Sequence, residues 1–261
     1  MIGNNNMESR PWINAYWWMG CNYGDILTPY LVEKISGKVA VWTEVGYGVT
    51  TYLITGSSLT CSRANTILWG VGTIDTKQSI AKPMAVHAVR GPISRDQMIK
   101  SGIQCPEIYG DPAVLLPRYY KPTVEKKYRL GIVPHHLDSS KAWNDYGYEP
   151  DVLMISITDP VEKVIDNICR CEAIASSSLH GLITADAYEI PNIQVEFSDR
   201  NPGRKCKFAD YWIGVGIHPY EPMDLRKKVE VNCILGNIVM RPIDPDIEGL
   251  LGSCPFLGKN P

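Results

Sequence analysis

Short apolar runs alternate with amphipathic segments along most of this 261-residue chain. The runs are rich in β-branched and aromatic residues, and most end at a glycine or a charge, which is typical of strands. They lie at residues 38–42, 52–55, 66–69, 85–89, 129–133, 152–155, 173–175 and 192–196. Helical spacing of apolar residues, or a proline in the first turn, predicts helices at residues 25–36, 92–100, 160–169 and 179–188. Strands that alternate with helices predict parallel sheets built from βαβ units.

The polar segment 117–127 interrupts this alternation with two prolines, and we interpret it as a linker. The sequence therefore predicts an α/β fold of two Rossmann-like lobes that face a cleft. The N-terminal lobe covers residues 1–120 and the C-terminal lobe covers residues 126–225. A C-terminal helical tail is expected over residues 226–261.

Composition narrows the class of protein. Hydrophobic residues make up 44% of the chain and charged residues 21%, which allows a sizeable core. The formal net charge of -2 makes nucleic acid a poor partner. Residues 1–10 lack the apolar core of a signal peptide, and no apolar run is long enough to span a membrane. Eight scattered cysteines then indicate reduced thiols, so we expect a cytoplasmic protein without a metal site.

Ligands of open α/β sheets bind where strands end and helices begin, and three motifs in the first half lie at such places. Asn22 to Asp25 precedes the first predicted helix, and Asp25 is placed to cap it. Arg90 and Arg95 surround a turn that opens a helix, a setting that suits an anion, although Arg95 could instead pair with a neighbour. Gly110-Asp111-Pro112 favours a structural turn, with Asp111 able to orient a nearby cation.

Three further motifs lie in the second half. His135 and His136 follow a strand, and two adjacent side chains are expected to point in different directions. One of them, His135, is therefore expected to face the cleft, with a surface histidine as the alternative. Ser177, Ser178 and His180 lie where a buried strand feeds a helix, and their hydroxyls and amides suit an anion. The segment 205–212 combines cations with aromatic residues, and Lys207 is expected to reach the cleft from a loop.

Taken in order, these motifs resemble the polysaccharide pyruvyl transferase family. The resemblance spans roughly residues 22–213. It rests on the following motifs: Asn22-Tyr23-Gly24-Asp25, Trp69-Gly70-Val71-Gly72-Thr73, Arg90-Gly91-Pro92-Ile93-Ser94-Arg95, Gly110-Asp111-Pro112-Ala113, Pro134-His135-His136, Ser178-Leu179-His180-Gly181 and Lys207-Phe208-Ala209-Asp210. It implies a GT-B-like architecture and transfer of pyruvyl from phosphoenolpyruvate to a sugar, with formation of a cyclic ketal. Phosphoenolpyruvate is then a co-substrate, and no cofactor or metal is needed.

The chemistry of this reaction assigns expected roles. His180 is the expected general acid, since a nearby anion would keep it protonated. Asp25 is the expected base or acceptor contact, together with Asn22. The expected contacts to phosphoenolpyruvate are Arg90, Arg95, Ser177, Ser178, His135 and Lys207. The expected acceptor is a lipid-linked polysaccharide precursor at the inner face of the membrane, which the protein would contact peripherally.

One departure from the family leaves alternatives open. Many members have arginine where this chain has Ser178, so another cation must complete the donor site, with Lys207 or Arg95 as candidates. The first alternative is a GT-B glycosyltransferase that uses a nucleotide sugar, for which Glu196 and Asp199 offer carboxylates. The second is a non-catalytic relative that binds a sugar phosphate.

Overall fold

The computed structural model describes residues 11–20 and 22–257. The predicted α/β class is confirmed, because two parallel five-stranded sheets are connected by helices. The first sheet contains β1 (Trp12–Tyr16), β2 (Val39–Trp42), β3 (Thr51–Leu53), β4 (Thr66–Trp69) and β5 (Ala85–Ala88). The second sheet contains β6 (Tyr128–Val133), β7 (Val152–Met154), β8 (Cys171–Ser176), β9 (Asn192–Glu196) and β10 (Met223–Asp224).

The helices lie mostly between the strands. They are α1 (Tyr23–Ser36), α2 (Pro92–Lys100), α3 (Leu116–Tyr119), α4 (Ser139–Tyr146), α5 (Val161–Cys169), α6 (Leu179–Ala187), α7 (Arg204–Gly214), α8 (Val231–Asn237) and α9 (Ile247–Gly252). All predicted strands and helices are confirmed within about two residues, the usual uncertainty of such boundaries. The sequence did not predict β1, α4, α7 or β10. The predicted linker holds α3 and then runs without regular structure to β6.

Both sheets have the same strand order. The first runs β2-β1-β3-β4-β5, and the second runs β7-β6-β8-β9-β10 when it is followed from the opposite edge. In each sheet, the second strand therefore lies on one side of the first strand and the third strand lies on its other side. A crevice forms at the carboxyl ends of the strands at such a switch point, and it is where doubly wound sheets bind ligands.

The two halves share a core. Apolar side chains of α1, α5 and α6 belong to one buried cluster that reaches into both sheets. Within this junction, the hydroxyl groups of Tyr23 on α1 and Thr184 on α6 are hydrogen-bonded at 2.9 Å, and both side chains are fully buried. The carboxyl ends of β1 and β6 are thereby held on the same side of the molecule.

Of the described part of the expected helical tail, residues 226–257, only α8 and α9 are helical. Between these helices the chain contains Pro242 and Pro245, which lack the amide hydrogen that a helix requires. The segment then returns to the first sheet. The indole of Trp69 donates a hydrogen bond to the Leu250 carbonyl at 2.9 Å, and the ring of Phe256 packs edge-on against Trp69.

Residues 1–10, on which the signal-peptide expectation rests, lie outside the described residues, as do Cys21 and the last four residues of the expected tail. None of the helices formed by residues 11–20 and 22–257 combines the length and the apolar character that crossing a membrane requires.

Candidate functional site

A cavity of about 450 Å³ opens at the switch points of the two sheets. The first sheet contributes the chain that follows β1 and β3, including Trp18 and Ser57. The second sheet contributes the chain that follows β6 and β8, including His135 and His180. Because ligands of doubly wound sheets bind at this crevice, the cavity is the candidate functional site.

The start of α1 forms one wall, where Asn22, Gly24 and Asp25 line the cavity. Asn22 is the N-cap of this helix: its backbone is extended, and its side-chain oxygen accepts a hydrogen bond from the Gly24 amide at 3.2 Å. The prediction that Asp25 caps the helix is therefore wrong, because the helix begins two residues earlier, at Tyr23.

The Asp25 carboxyl group is free for another role. Burial raises the pKa of Asp25 to about 6, and the positive charges of His180 and Lys207 limit this rise. A carboxyl group with this pKa changes its protonation state near neutral pH, as a general base must.

The imidazole of His180 lies in the first turn of α6, at the cavity. Its Nε2 atom is 3.2 Å from Oδ2 of Asp111, whose buried carboxylate also accepts a hydrogen bond from the Ala113 amide. A Cβ atom at Gly24 would lie 2.1 Å from Nδ1 of the same ring, so only glycine permits this packing. The carboxylate and the glycine together fix the position of the imidazole.

Lys207 brings a buried amine to the cavity, from α7 and not from the loop that the sequence predicted. The helix forms because Phe208, Tyr211, Trp212 and Val215 recur at helical spacing and are all buried. The Lys207 amine donates a hydrogen bond to the Asn201 side-chain oxygen at 2.6 Å. Burial and the charge of Arg90 lower the pKa of Lys207 to about 8.

His135 and Ser178 line the cavity. His136 lines it as well, and its ring centre lies 4.2 Å from that of His135, so the prediction that the two histidines point in different directions is wrong. Burial lowers the pKa of His135 to about 3, with a further contribution from Lys207, so this imidazole is neutral at physiological pH. The Ser178 hydroxyl does not cap α6, which leaves the first amides of that helix without a side-chain acceptor. The first amides of α6 and the Lys207 amine therefore make the cavity suitable for an anion.

Ser177 does not line the cavity. Its hydroxyl donates to the Asp138 carboxylate at 3.2 Å and accepts from the His135 amide at 2.9 Å, and its carbonyl accepts from Asn201. These buried bonds fix the loop that carries His135 and hold Asn201, the hydrogen-bond partner of Lys207. Ser177 therefore supports the site indirectly and is not placed to contact a ligand.

Arg90 is fully buried and does not line the cavity, which contradicts its expected direct contact with the donor. Its Nε atom pairs with Asp210 of α7 at 3.0 Å, and its other nitrogens bond the Ser57 hydroxyl and the Thr73 carbonyl. A Cβ atom at Gly72 would lie 2.1 Å from the guanidinium carbon, so the ion pair is enclosed. Arg90 therefore fixes α7, one turn from Lys207, against the first half of the chain.

Arg95 is also away from the cavity. Its guanidinium pairs with Glu107 at 3.0 Å and donates to the Cys105 carbonyl at 3.1 Å. The alternative that this arginine pairs with Asp96 or a helical neighbour is wrong as well, because its partner Glu107 lies beyond the end of α2. Of the two candidate cations, Lys207 is the one that lines the cavity.

Sequence reasoning missed three features of the site. Asp111 was favoured as a turn residue, and its contact with His180 joins positions 69 residues apart. Ser57 and Ser58 also line the cavity, and the rule that ligands bind at strand ends could have indicated them, since they follow the predicted strand 52–55. Trp18 was missed together with β1, whose carboxyl end it follows.

These features define the chain as an α/β protein with a candidate ligand cavity between two parallel sheets, lined by apolar surface together with charged and polar side chains. Among the described residues, no three or more His, Cys, Asp or Glu side chains converge as metal ligands. A family model described as polysaccharide pyruvyl transferase matches residues 59–196, just over half of the chain. The protein belongs to this family, which confirms the resemblance of its motifs.

The comparison with individual proteins adds one relative. The chain is 29% identical over 211 residues to the uncharacterized protein L143 of Acanthamoeba polyphaga mimivirus, covering 75% of this chain and 71% of that protein. No solved structure gives a significant match. The family match includes Asp111, His135, Ser178 and His180, whereas Asp25 and Lys207 lie outside it.

Proposed function

We propose that this protein transfers pyruvyl from phosphoenolpyruvate to two hydroxyl groups of one sugar, forming a cyclic ketal and releasing phosphate. The observation that carries the proposal is the pairing of His180 with buried Asp111 in a cavity that also holds Asp25 and Lys207. The site thus combines an acid, a base and an anion-binding cation in one cavity, as this reaction requires.

In this proposal, the donor lies against the residues that the second half of the chain contributes to the cavity. Phosphoenolpyruvate carries a phosphate and a carboxylate, and the Lys207 amine and the first amides of α6 attract such groups. Lys207 then binds the donor in place of the arginine that many family members have at the position of Ser178. The neutral His135 and the Ser178 hydroxyl provide further hydrogen bonds.

The reaction proceeds by proton transfer and two additions. His180 protonates the methylene carbon, which generates oxocarbenium character at the neighbouring carbon. One sugar hydroxyl adds to that carbon while Asp25 accepts its proton. The bond from the same carbon to the phosphate oxygen then breaks, and the second hydroxyl adds to close the ketal. One hydroxyl proton replaces the proton that His180 gave to the new methyl group, and the other leaves with phosphate or solvent.

The wider setting follows from the same proposal. The two halves are arranged as lobes of a GT-B-like enzyme, with the donor on the C-terminal lobe and the acceptor entering from the N-terminal side. The acceptor is a lipid-linked precursor of a polysaccharide, met at the cytoplasmic face of the membrane. The reaction as written needs no cofactor or metal.

A nucleotide-sugar transferase would need a free carboxylate for the donor ribose. Both carboxylate oxygens of Glu196 are paired, one with Arg204 at 2.8 Å and one with Arg226 at 2.8 Å. Asp199 pairs with the same two arginines. Neither carboxylate lines the cavity, and this counts against the glycosyltransferase alternative.

The test incubates the purified protein with phosphoenolpyruvate and oligosaccharides prepared from the native polymer. We expect mass spectrometry to show an added pyruvate ketal, with one phosphate released for each ketal formed. Nucleotide sugars without phosphoenolpyruvate serve as the control for the glycosyltransferase alternative. If no glycan gains the ketal, or if a sugar is transferred instead, the proposed function is wrong. A non-catalytic relative would be indicated if the His180→Ala protein still complements a strain that lacks the gene.

A further inference from the structure

The mouth of the cavity carries an exposed tryptophan that the proposed reaction does not use. The Trp18 side chain lines the cavity and is nevertheless 66% exposed. Exposing a large aromatic side chain to water is unfavourable, and at the edge of a cavity such a side chain is a candidate binding surface. Trp12 is exposed to a similar extent, 60%, but does not line the cavity, so exposure alone does not distinguish Trp18.

The neighbouring chain holds the Trp18 backbone in place. The preceding carbonyl, of Trp17, accepts a hydrogen bond from the indole of Trp42 at 3.0 Å, and the ring of Tyr16 lies 6.3 Å from that of Trp42. On the other side, a Cβ atom at Gly20 would lie 2.4 Å from the Trp18 indole nitrogen. The indole thus packs on a bare backbone and needs little reordering to bind a ligand.

The charges around the cavity restrict what can cover this ring. The face of an aromatic ring is negative, so it does not favour phosphoenolpyruvate, an anion that carries both a carboxylate and a phosphate. A cationic ligand would suit the ring but would share the cavity with the Lys207 amine. A neutral ligand with one apolar face and a polar edge meets neither difficulty. A sugar ring has this character, because its C–H bonds form a flat face and its hydroxyls lie around the edge.

We propose that Trp18 is the stacking platform for the acceptor sugar, whose hydroxyl edge then points to Asp25 and Asn22 on the same wall of the cavity. This inference rests on the proposed function and adds the position and orientation of the acceptor. Trp18 sets specificity for sugars that offer an uninterrupted C–H face, while Lys207 holds the donor.

The test measures binding without turnover. Methyl glycosides of glucose, galactose and mannose are titrated into the full-length protein without phosphoenolpyruvate, and saturation-transfer NMR reports their binding. We expect at least one glycoside to bind the wild type. We expect Trp18→Ala to weaken its affinity by about tenfold or more, since aromatic stacking adds to area burial. Trp18→Phe should retain most of the affinity, and Trp12→Ala is the matched control that should bind like the wild type.

Thermal unfolding of each variant separates loss of binding from loss of folding. The inference is overturned if no glycoside binds the wild type, or if folded Trp18→Ala binds as well as the wild type does. An equal loss in Trp12→Ala would also overturn it. Ketal formation is measured separately, so a protein that binds sugar through Trp18 but forms no ketal would contradict only the proposed function.

Discussion

The two sheets share one strand order but carry different side chains at the switch points where they meet the cavity. The first half contributes a carboxyl group and aromatic rings, those of Asp25, Tyr16 and Trp18. The second half contributes basic and imidazole groups, through Lys207, His135 and His180. Strand order depends on the backbone and decides where the loops gather, whereas the loop side chains decide what each wall attracts. The repeated topology therefore produces two complementary walls and not two equal sites.

Two contacts connect the walls of the cavity. The Arg90–Asp210 ion pair and the contact of His180 with Gly24 both join the first half to the second. Each wall thus depends on residues of the other half for its geometry. Substitutions on one wall, or in the ties between the walls, test whether this division of roles is correct.

Removing the imidazole of His180, the proposed general acid, should have the largest effect on activity. We expect His180→Ala to lower kcat by about 10²- to 10⁴-fold, the usual contribution of a positioned general acid. Steady-state ketal formation checks this, and Asp111→Asn, which keeps the shape but removes the charge next to the ring, should fall between this variant and the wild type. A His180→Ala protein with near-normal kcat would contradict the assignment of the acid.

Breaking the ion pair between the halves should destabilise the fold. Arg90→Met leaves the Asp210 carboxylate buried without its charged partner, which typically costs about 3–5 kcal/mol. Urea unfolding measures this change. Arg95→Met is the matched control, because it removes a partly exposed pair with Glu107 and should cost at most about 1 kcal/mol. Equal losses in the two variants would contradict the structural role given to Arg90.

Lys207 tests whether the second wall holds the donor. We expect Lys207→Met to raise the KM for phosphoenolpyruvate by about 10- to 150-fold, the effect of losing one hydrogen bond to a charged group. The KM for the acceptor should change little. Lys207→Arg keeps the charge and should recover part of the loss. If Lys207→Met raises only the acceptor KM, the donor and acceptor walls are exchanged.

The smallest expected effect is the pH dependence of kcat/KM, which should fall about tenfold per pH unit outside the optimum. Its acidic and alkaline limbs report on the first and the second wall. Asp25 must be ionised to act as a base, and its pKa is raised to about 6, so kcat/KM should fall as the pH drops below 6. Lys207 must be protonated to bind the donor, and its pKa is lowered to about 8, so kcat/KM should fall as the pH rises above 8. A bell-shaped profile between these values is expected.

Two variants assign the limbs of this profile. Lys207→Arg should move the alkaline limb to higher pH, and Asp25→Asn should remove the acidic limb from the residual activity. The donor phosphate titrates near pH 6 as well. An acidic limb that persists in Asp25→Asn would therefore belong to the substrate and would contradict the role of Asp25 as the base.

Much of the fold could be predicted from local patterns. The predicted strands and helices survive because their apolar residues have the spacing of one buried face, which is a property of neighbouring residues. The pattern failed at β1 and α7. β1 is a five-residue strand with a polar asparagine at its centre. The first four residues of α7 include three cations, and the helix is stabilised by the packing of Phe208 and Trp212.

The candidate site could be predicted only in part. His180, Asp25, Asn22, Ser178, His135 and Lys207 line one cavity, and of these His135, Ser178 and His180 directly follow predicted strands. Arg90, Arg95 and Ser177 lie at such places too, but each is satisfied by protein partners. Sequence position shows where a side chain begins, whereas only its surroundings show whether a ligand can reach it.

By itself, the sequence determined the α/β class, the family and the strand ends where polar residues gather, because these depend on local periodicity and short motifs. The tertiary structure decided that Asp111 holds His180, that Gly24 admits its ring, that Arg90 is enclosed in an ion pair and that Trp18 stands at the cavity mouth. These contacts join residues that are distant in the chain or depend on how the two halves pack, and no local pattern specifies such packing.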